Sequence, residues 1–389
     1  MRALIFLLVL GFVSVGLASA QTVNLFSIFE QTPVKDRLSW LESKPLNKLP
    51  DDFLYQALLL TDAANIELGS DDDVHAKTET ALWLCQQLGS RHYVAAIPLL
   101  RRLPTEYHNT NLKSAVWAAL AADQATAAIP DMILELKALN AGFTPNAAGE
   151  AEAYTLLQAL TTLKAKAAFP DFVRATSAWY SPGSQVRALA LKSLPLLVPD
   201  YSQALLSVIR TDTYPGTRLT ALELAQKSTD VQFRDTAAAV ALKASLDLQT
   251  NDDRQQDIVT RLRKAALTAL AVAASVPAEA LPSLKNVLMS WIDPQADFDD
   301  LGNAAFAMAK ISAPDSVKAL AQVLSQLNSR QKVGANTSAQ VGFARVLIAA
   351  LGVSASPLAA PALSDVEYSS YTPAIRREAR SALKRIPQS

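Results

Sequence analysis

Three histidines, His75, His92 and His108, fall in one third of the chain, with the lone cysteine, Cys85, between them. Such types suit a metal site, but spacings of 17 and 16 residues miss the i, i+4 pattern by which one helix offers two ligands. Scattered boundary histidines and a small buried thiol are expected instead, with no metal. The acidic run 293–302, DPQADFDDLG, invites a calcium loop. With Asp297 first, Asp299 and Gly302 suit positions 3 and 6, yet Leu301 and Met308 fall where oxygen ligands are needed. A helix N-terminus explains the run better, with Asp299 and Asp300 capping it and offsetting its exposed N–H groups. The chain carries no G-x-S-x-G elbow, P-loop or G-x-G-x-x-G run. Neither a catalytic residue nor a cofactor is expected.

Two further sets recur in register. Arg187, Arg218, Arg263 and Arg376 hold the same place in four similar stretches, of which VRALALKSL at 186–194 is the clearest. One reading of them is a basic stripe on the concave face for an acidic partner. Tyr107, Phe143, Tyr180, Tyr214, Phe298 and Tyr371 fall in connections expected along one edge. Each ring either plugs its own loop or belongs to an aromatic edge that grips a partner. The second is the candidate binding surface, because aromatics are favoured anchors.

The elements that position these residues are helices. Alanine is abundant, glycine contributes only 12 residues, and apolar spacings of three and four recur throughout. In the 186–194 stretch, Val186, Ala190, Ser193 and Leu194 share one helix face, where small residues permit close approach. Related stretches recur about every 37 residues between Ala81 and Ala379, and a preceding helix often carries proline: Pro98, Pro130, Pro170, Pro282 and Pro361. Proline fits a helix's first turn and bends it elsewhere, and a bend in each first helix is expected. Longer polar connections are expected at 140–150, 247–257 and 328–340.

The AIPxL first helix and VRxxAxxSL second helix resemble HEAT repeats, related to armadillo arrays, over about residues 51–386. The resemblance implies an all-α, right-handed superhelix, a solenoid of about nine helix pairs, in which Arg187, Arg218, Arg263 and Arg376 tie adjacent repeats together. With residues 21–50 as an N-terminal cap and no linker in the array, residues 51–389 are expected as one repeat domain. Each pair buries its face only against its neighbours.

The chain opens with Arg2, an apolar run and Ala18-Ser19-Ala20, the pattern of a secretory signal peptide cleaved after Ala20. An uncleaved anchor is the competing reading. Loss of residues 1–20 leaves 35 basic against 36 acidic residues, a balance that argues against nucleic acid as partner. No transmembrane segment is expected after cleavage. The expected function is an exported protein-binding scaffold of the bacterial envelope or periplasm, without bond chemistry. The alternatives are an enzyme or enzyme-assisting subunit, since some HEAT-like families resemble bilin lyases, or a structural part of an envelope machine.

Overall fold

Helix starts are written into the chain as short polar residues. Ser70, Asn109, Asn146, Ser184, Asp200, Asp230, Asp252, Asp297 and Thr337 each accept a hydrogen bond from a backbone N–H in the first turn that follows. Each such cap is worth about 1 kcal/mol. At 293–302 the cap is Asp297 and not Asp299 or Asp300, whose own N–H groups donate to it from the first turn. The computed structural model describes residues 22–142, 146–181, 183–311 and 313–387. Among them every regular element is helical and none is a strand. The expected leader lies outside the described residues.

The helices gather into two compact units, Met1–Pro199 and Asp200–Ser389, although no linker composition marks the boundary. In the first, residues 22–31 form α1, followed by α2 (Arg37–Glu42), α3 (Asp51–Ala63), α4 (Asp71–Ser90), α5 (Ile97–Glu106), α6 (Thr110–Ala122), α7 (Ile129–Asn140), α8 (Ala147–Thr162), α9 (Phe169–Ala175) and α10 (Gln185–Leu197). From α3 onward each odd helix packs on the even helix after it. The even helices also pack in order, α4 on α6, α6 on α8 and α8 on α10. Phe29 of α1 closes the start of this row. It meets Trp40 and Phe53 at ring-centroid distances of 5.9 Å each, under the Arg37 guanidinium.

The second unit repeats the scheme with α11 (Tyr201–Thr211), α12 (Pro215–Ala225), α13 (Val231–Asp247), α14 (Asp253–Val272), α15 (Leu281–Met289), α16 (Phe298–Ala309), α17 (Pro314–Lys332), α18 (Ser338–Ser354), α19 (Ala360–Asp365) and α20 (Pro373–Leu383). Here α12, α14, α16, α18 and α20 pack in order. The connections expected at 247–257 and 328–340 are shorter than anticipated. The helices around them extend to Asp247 and Lys332 and resume at Asp253 and Ser338, because Asp252 and Thr337 cap the new starts.

The recurrent prolines do not bend helices. Pro98, Pro130, Pro170, Pro282 and Pro361 sit in the first turn of α5, α7, α9, α15 and α19, each directly after a 3₁₀ turn. A first-turn residue has no intrahelical acceptor for its N–H, so proline there sacrifices nothing. Six residues before four of these prolines stands a left-handed residue: His92, Gln124, Lys164 and Ala355, with φ between 48° and 55°. At the first three, the next residue's N–H reaches back to close the helix end: Tyr93 to the Leu88 carbonyl, Ala125 to Leu120 and Ala165 to Leu160. That is the Schellman closure. The motif is thus a helix stop and restart.

Close approach of even helices needs glycine at two matching places. A Cβ on Gly89 would stand 2.5 Å from Ala119 Cα, and one on Gly352 would stand 2.9 Å from Ala382 Cβ.

Candidate functional site

Of the six aromatics expected along an edge, three are buried. Tyr107, Tyr180 and Tyr371 are 6%, 0% and 3% exposed, which removes them as anchors for a partner. Each lies between an odd helix and its even partner, and two reach back to the end of the preceding odd helix. The Tyr107 hydroxyl donates to Asp62 Oδ1 at 2.8 Å, and Tyr180 donates to Asn140 Oδ1 at 2.9 Å. A large ring gains most from burial, and its hydroxyl then requires an acceptor. Burial raises the phenol pKa in all three, to about 12 in Tyr107, where Asp62 adds to it, and to about 12 in Tyr371. Trp179 joins the clamp, its indole N–H donating to the Leu139 carbonyl at 2.6 Å.

Tyr371 occupies the corresponding place after α19, and Asn328, one turn before the end of α17, makes the contact that Asn140 makes from the end of α7. Asn140 Nδ2 donates to the Asp171 carbonyl and Asn328 Nδ2 to the Ala362 carbonyl, both at 3.0 Å. Here the hydroxyl bond is missing: Tyr371 Oη and Asn328 Oδ1 are both buried without a partner. Tyr214 and Phe298 are half-buried, Phe298 lying edge-on to Phe343 at 5.9 Å. Phe143 lies outside the described residues.

The four registered arginines divide in two. Arg187 and Arg376 stay within their own helix pair, donating to the carbonyls of Ala178 (2.6 Å) and Ser369 (3.3 Å), and their Nε atoms are buried without acceptors. Their hydrogen bonds therefore do not tie neighbouring pairs, although the Glu150 carboxyl of α8, held below its usual range by hydrogen bonds from Ser181, is lowered further by the Arg187 charge. Arg218 bonds both the Asp212 carbonyl of its own connection and, at 3.4 Å, the Ala244 carbonyl of α13. Arg263 bridges to Asp300 of α16 at 3.0 Å. Asp300 is 4% exposed. Burial raises its pKa while Arg263 pulls it down.

Pattern reading missed an ionisable cluster in the first unit. Lys113 of α6 pairs with Glu135 of α7 at 2.8 Å, and Trp117 of α6 donates its indole N–H to Glu152 Oε1 at 3.3 Å. Glu152 is 1% exposed. Burial pushes its carboxyl up to about 7, with Glu135 adding to the rise and Lys113 and Trp117 opposing it. Such a pKa suits a general acid, but a carboxyl enclosed this far meets no substrate, and its effect falls on packing. The available signal was position: Glu152 lies four residues before Leu156, on the apolar face of α8.

Cys85 is fully buried, which raises its thiol pKa and keeps it protonated. His75 is exposed, His108 pairs with Glu67 at 3.2 Å, and His92 Nδ1 lies 2.9 Å from the Ala122 carbonyl. They are not gathered, and no metal-holding group of His, Cys, Asp and Glu occurs among the described residues.

An open basic surface does exist, beside the registered arginines. The exposed faces of α18 and α20 border a groove of about 430 Å³. Arg345 and Glu378 form a two-pronged pair across it. Arg377 and Arg385 also line it, both exposed and neither within ion-pair distance of a described carboxylate. Ile348, Ala349 and Ala382 complete its lining. Among the described residues no helix is long and apolar enough to cross a membrane. No protein-family model matches the chain, and no curated protein matches its sequence.

Proposed function

We propose that the chain is an exported HEAT-like right-handed α-solenoid of about nine helix pairs that holds a protein partner in the bacterial envelope and performs no bond chemistry. Ordered packing of even helices within each unit supports the architecture, since a stack of pairs needs that order of neighbours. The groove between α18 and α20 carries the binding reading. Its unpaired Arg377 and Arg385 sit beside small apolar residues, a surface complementary to an acidic, extended segment of the partner.

Affinity capture from the native envelope fraction tests this, with wild type compared against the Arg377→Glu/Arg385→Glu variant. A protein retained by wild type and lost from an equally helical variant supports the reading. Equal capture by both, or capture of nothing, rejects it.

A further inference from the structure

The second unit holds a cavity of about 550 Å³ over one face of α13, from Thr236 to Asp247. Its size is that of a small-molecule site. Three cations reach it from three helices: Arg210 from the last turn of α11, Arg218 from α12 and Lys243 from α13. None of them is within ion-pair distance of a described carboxylate. Arg218 is the built element. It is 8% exposed, and its Nε and Nη1 are held by the carbonyls of Asp212 and Ala244, so its fork is fixed in place with Nη2 still uncommitted. Burial lowers its pKa, and the carboxylates of Asp212 and Asp247 oppose that fall without pairing with it directly.

The remaining lining narrows the ligand. Val240, Leu248 and Pro277 supply an apolar wall, while Asp247 and Glu279 bring negative charge to the same cavity. A phosphate monoester, with a charge of about −1.5 to −2 at neutral pH, would have that charge set against both acids. A carboxylate carries one charge and matches a planar guanidinium. We infer that this cavity binds a small amphiphilic monocarboxylate, its head toward Arg210, Arg218 and Lys243 and its hydrocarbon on Val240, Leu248 and Pro277.

Calorimetric titration of the full chain with octanoate, octanol and octyl phosphate tests this. Saturable 1:1 binding of octanoate is expected, with octanol and octyl phosphate each about tenfold weaker or more, the range of a charge-assisted hydrogen bond. Arg210→Gln/Lys243→Gln, both exposed in the wild type, should weaken octanoate by about tenfold or more with melting unchanged. Val240→Trp, which puts a bulky ring on the apolar wall and spares the charges, should weaken octanoate by about tenfold or more and serves as the second variant should the first lose helicity. Absence of saturable octanoate binding, equal binding of octanol, tighter binding of octyl phosphate, or unchanged affinity in both variants overturns the inference. Arg377→Glu/Arg385→Glu should leave octanoate binding intact, which separates this site from the α18–α20 groove.

Discussion

Tyr180 donates its hydroxyl to Asn140 Oδ1 at 2.9 Å, across 40 residues of chain, while Asn140 Nδ2 donates to the Asp171 carbonyl at 3.0 Å. One buried amide thus ties α7 to both ends of the next odd helix and its connection. Tyr180→Phe leaves Asn140 Oδ1 buried without a donor and should cost about 1–3 kcal/mol. Tyr371→Phe removes a hydroxyl that has no partner and should be neutral or slightly stabilising. Urea denaturation of both variants checks the contrast, and equal losses would contradict it.

Gly89→Ala places a methyl group where Ala119 Cα already stands. Helix propensity alone favours alanine by about 1 kcal/mol, whereas overpacking costs about 1–3 kcal/mol. Net destabilisation is expected, read as a lower thermal midpoint. A higher midpoint would mean that α4 and α6 separate freely.

Lys164 holds φ at 50°, a conformation that strains a side-chain-bearing residue by about 1–2 kcal/mol. Lys164→Gly relieves the strain at a helix end where glycine is favoured. A stabilisation of about 0.5–1 kcal/mol is expected after glycine's own entropy cost, measured by denaturant midpoint. The same exchange at exposed Lys192, inside α10, should destabilise by about 1 kcal/mol.

Burial, with Glu135 beside it, pushes the Glu152 carboxyl up to about 7 in the folded chain, against about 4.3 when unfolded. Between those values the folded state binds more protons, so its contribution to stability is full below about pH 4.3 and is lost as pH rises to 7. Glu152→Gln keeps an acceptor for Trp117 and cannot ionise. The variant should lose less stability than wild type between pH 4.5 and 7.5, as followed by urea unfolding at several pH values. Parallel profiles would contradict the assignment.

Arg263→Met should cost roughly 3 kcal/mol, because it leaves the Asp300 carboxylate enclosed and unpaired. Arg345→Gln breaks a pair exposed on both sides and should cost about 0–1 kcal/mol. Chemical denaturation separates the two.

Helix content was legible along the chain because it depends on local chemistry, whereas ends such as Asp247 and Lys332 ran further than the polar composition beyond them suggested. Side-chain oxygens such as those of Ser70, Asn109 and Asp252 satisfy first-turn N–H groups within three residues of themselves. Pro98 and Pro130 were expected to bend their helices, and only the 3₁₀ turn and left-handed residue before each show that they mark a restart. Partnership was not legible, since it is decided by residues 26 to 45 positions away. Arg263 and Arg376 share a register, yet one meets Asp300 on the next even helix and the other a carbonyl in its own connection. Tyr107 and Tyr180 read equally as loop plugs or as partner anchors until Asp62 and Asn140 are brought beneath them. Arg377, one residue from the registered Arg376, lines the groove because a one-residue step turns a helical side chain by about 100°. Helices follow from neighbours in sequence. The surfaces left open follow from which rings and charges the tertiary structure has already used.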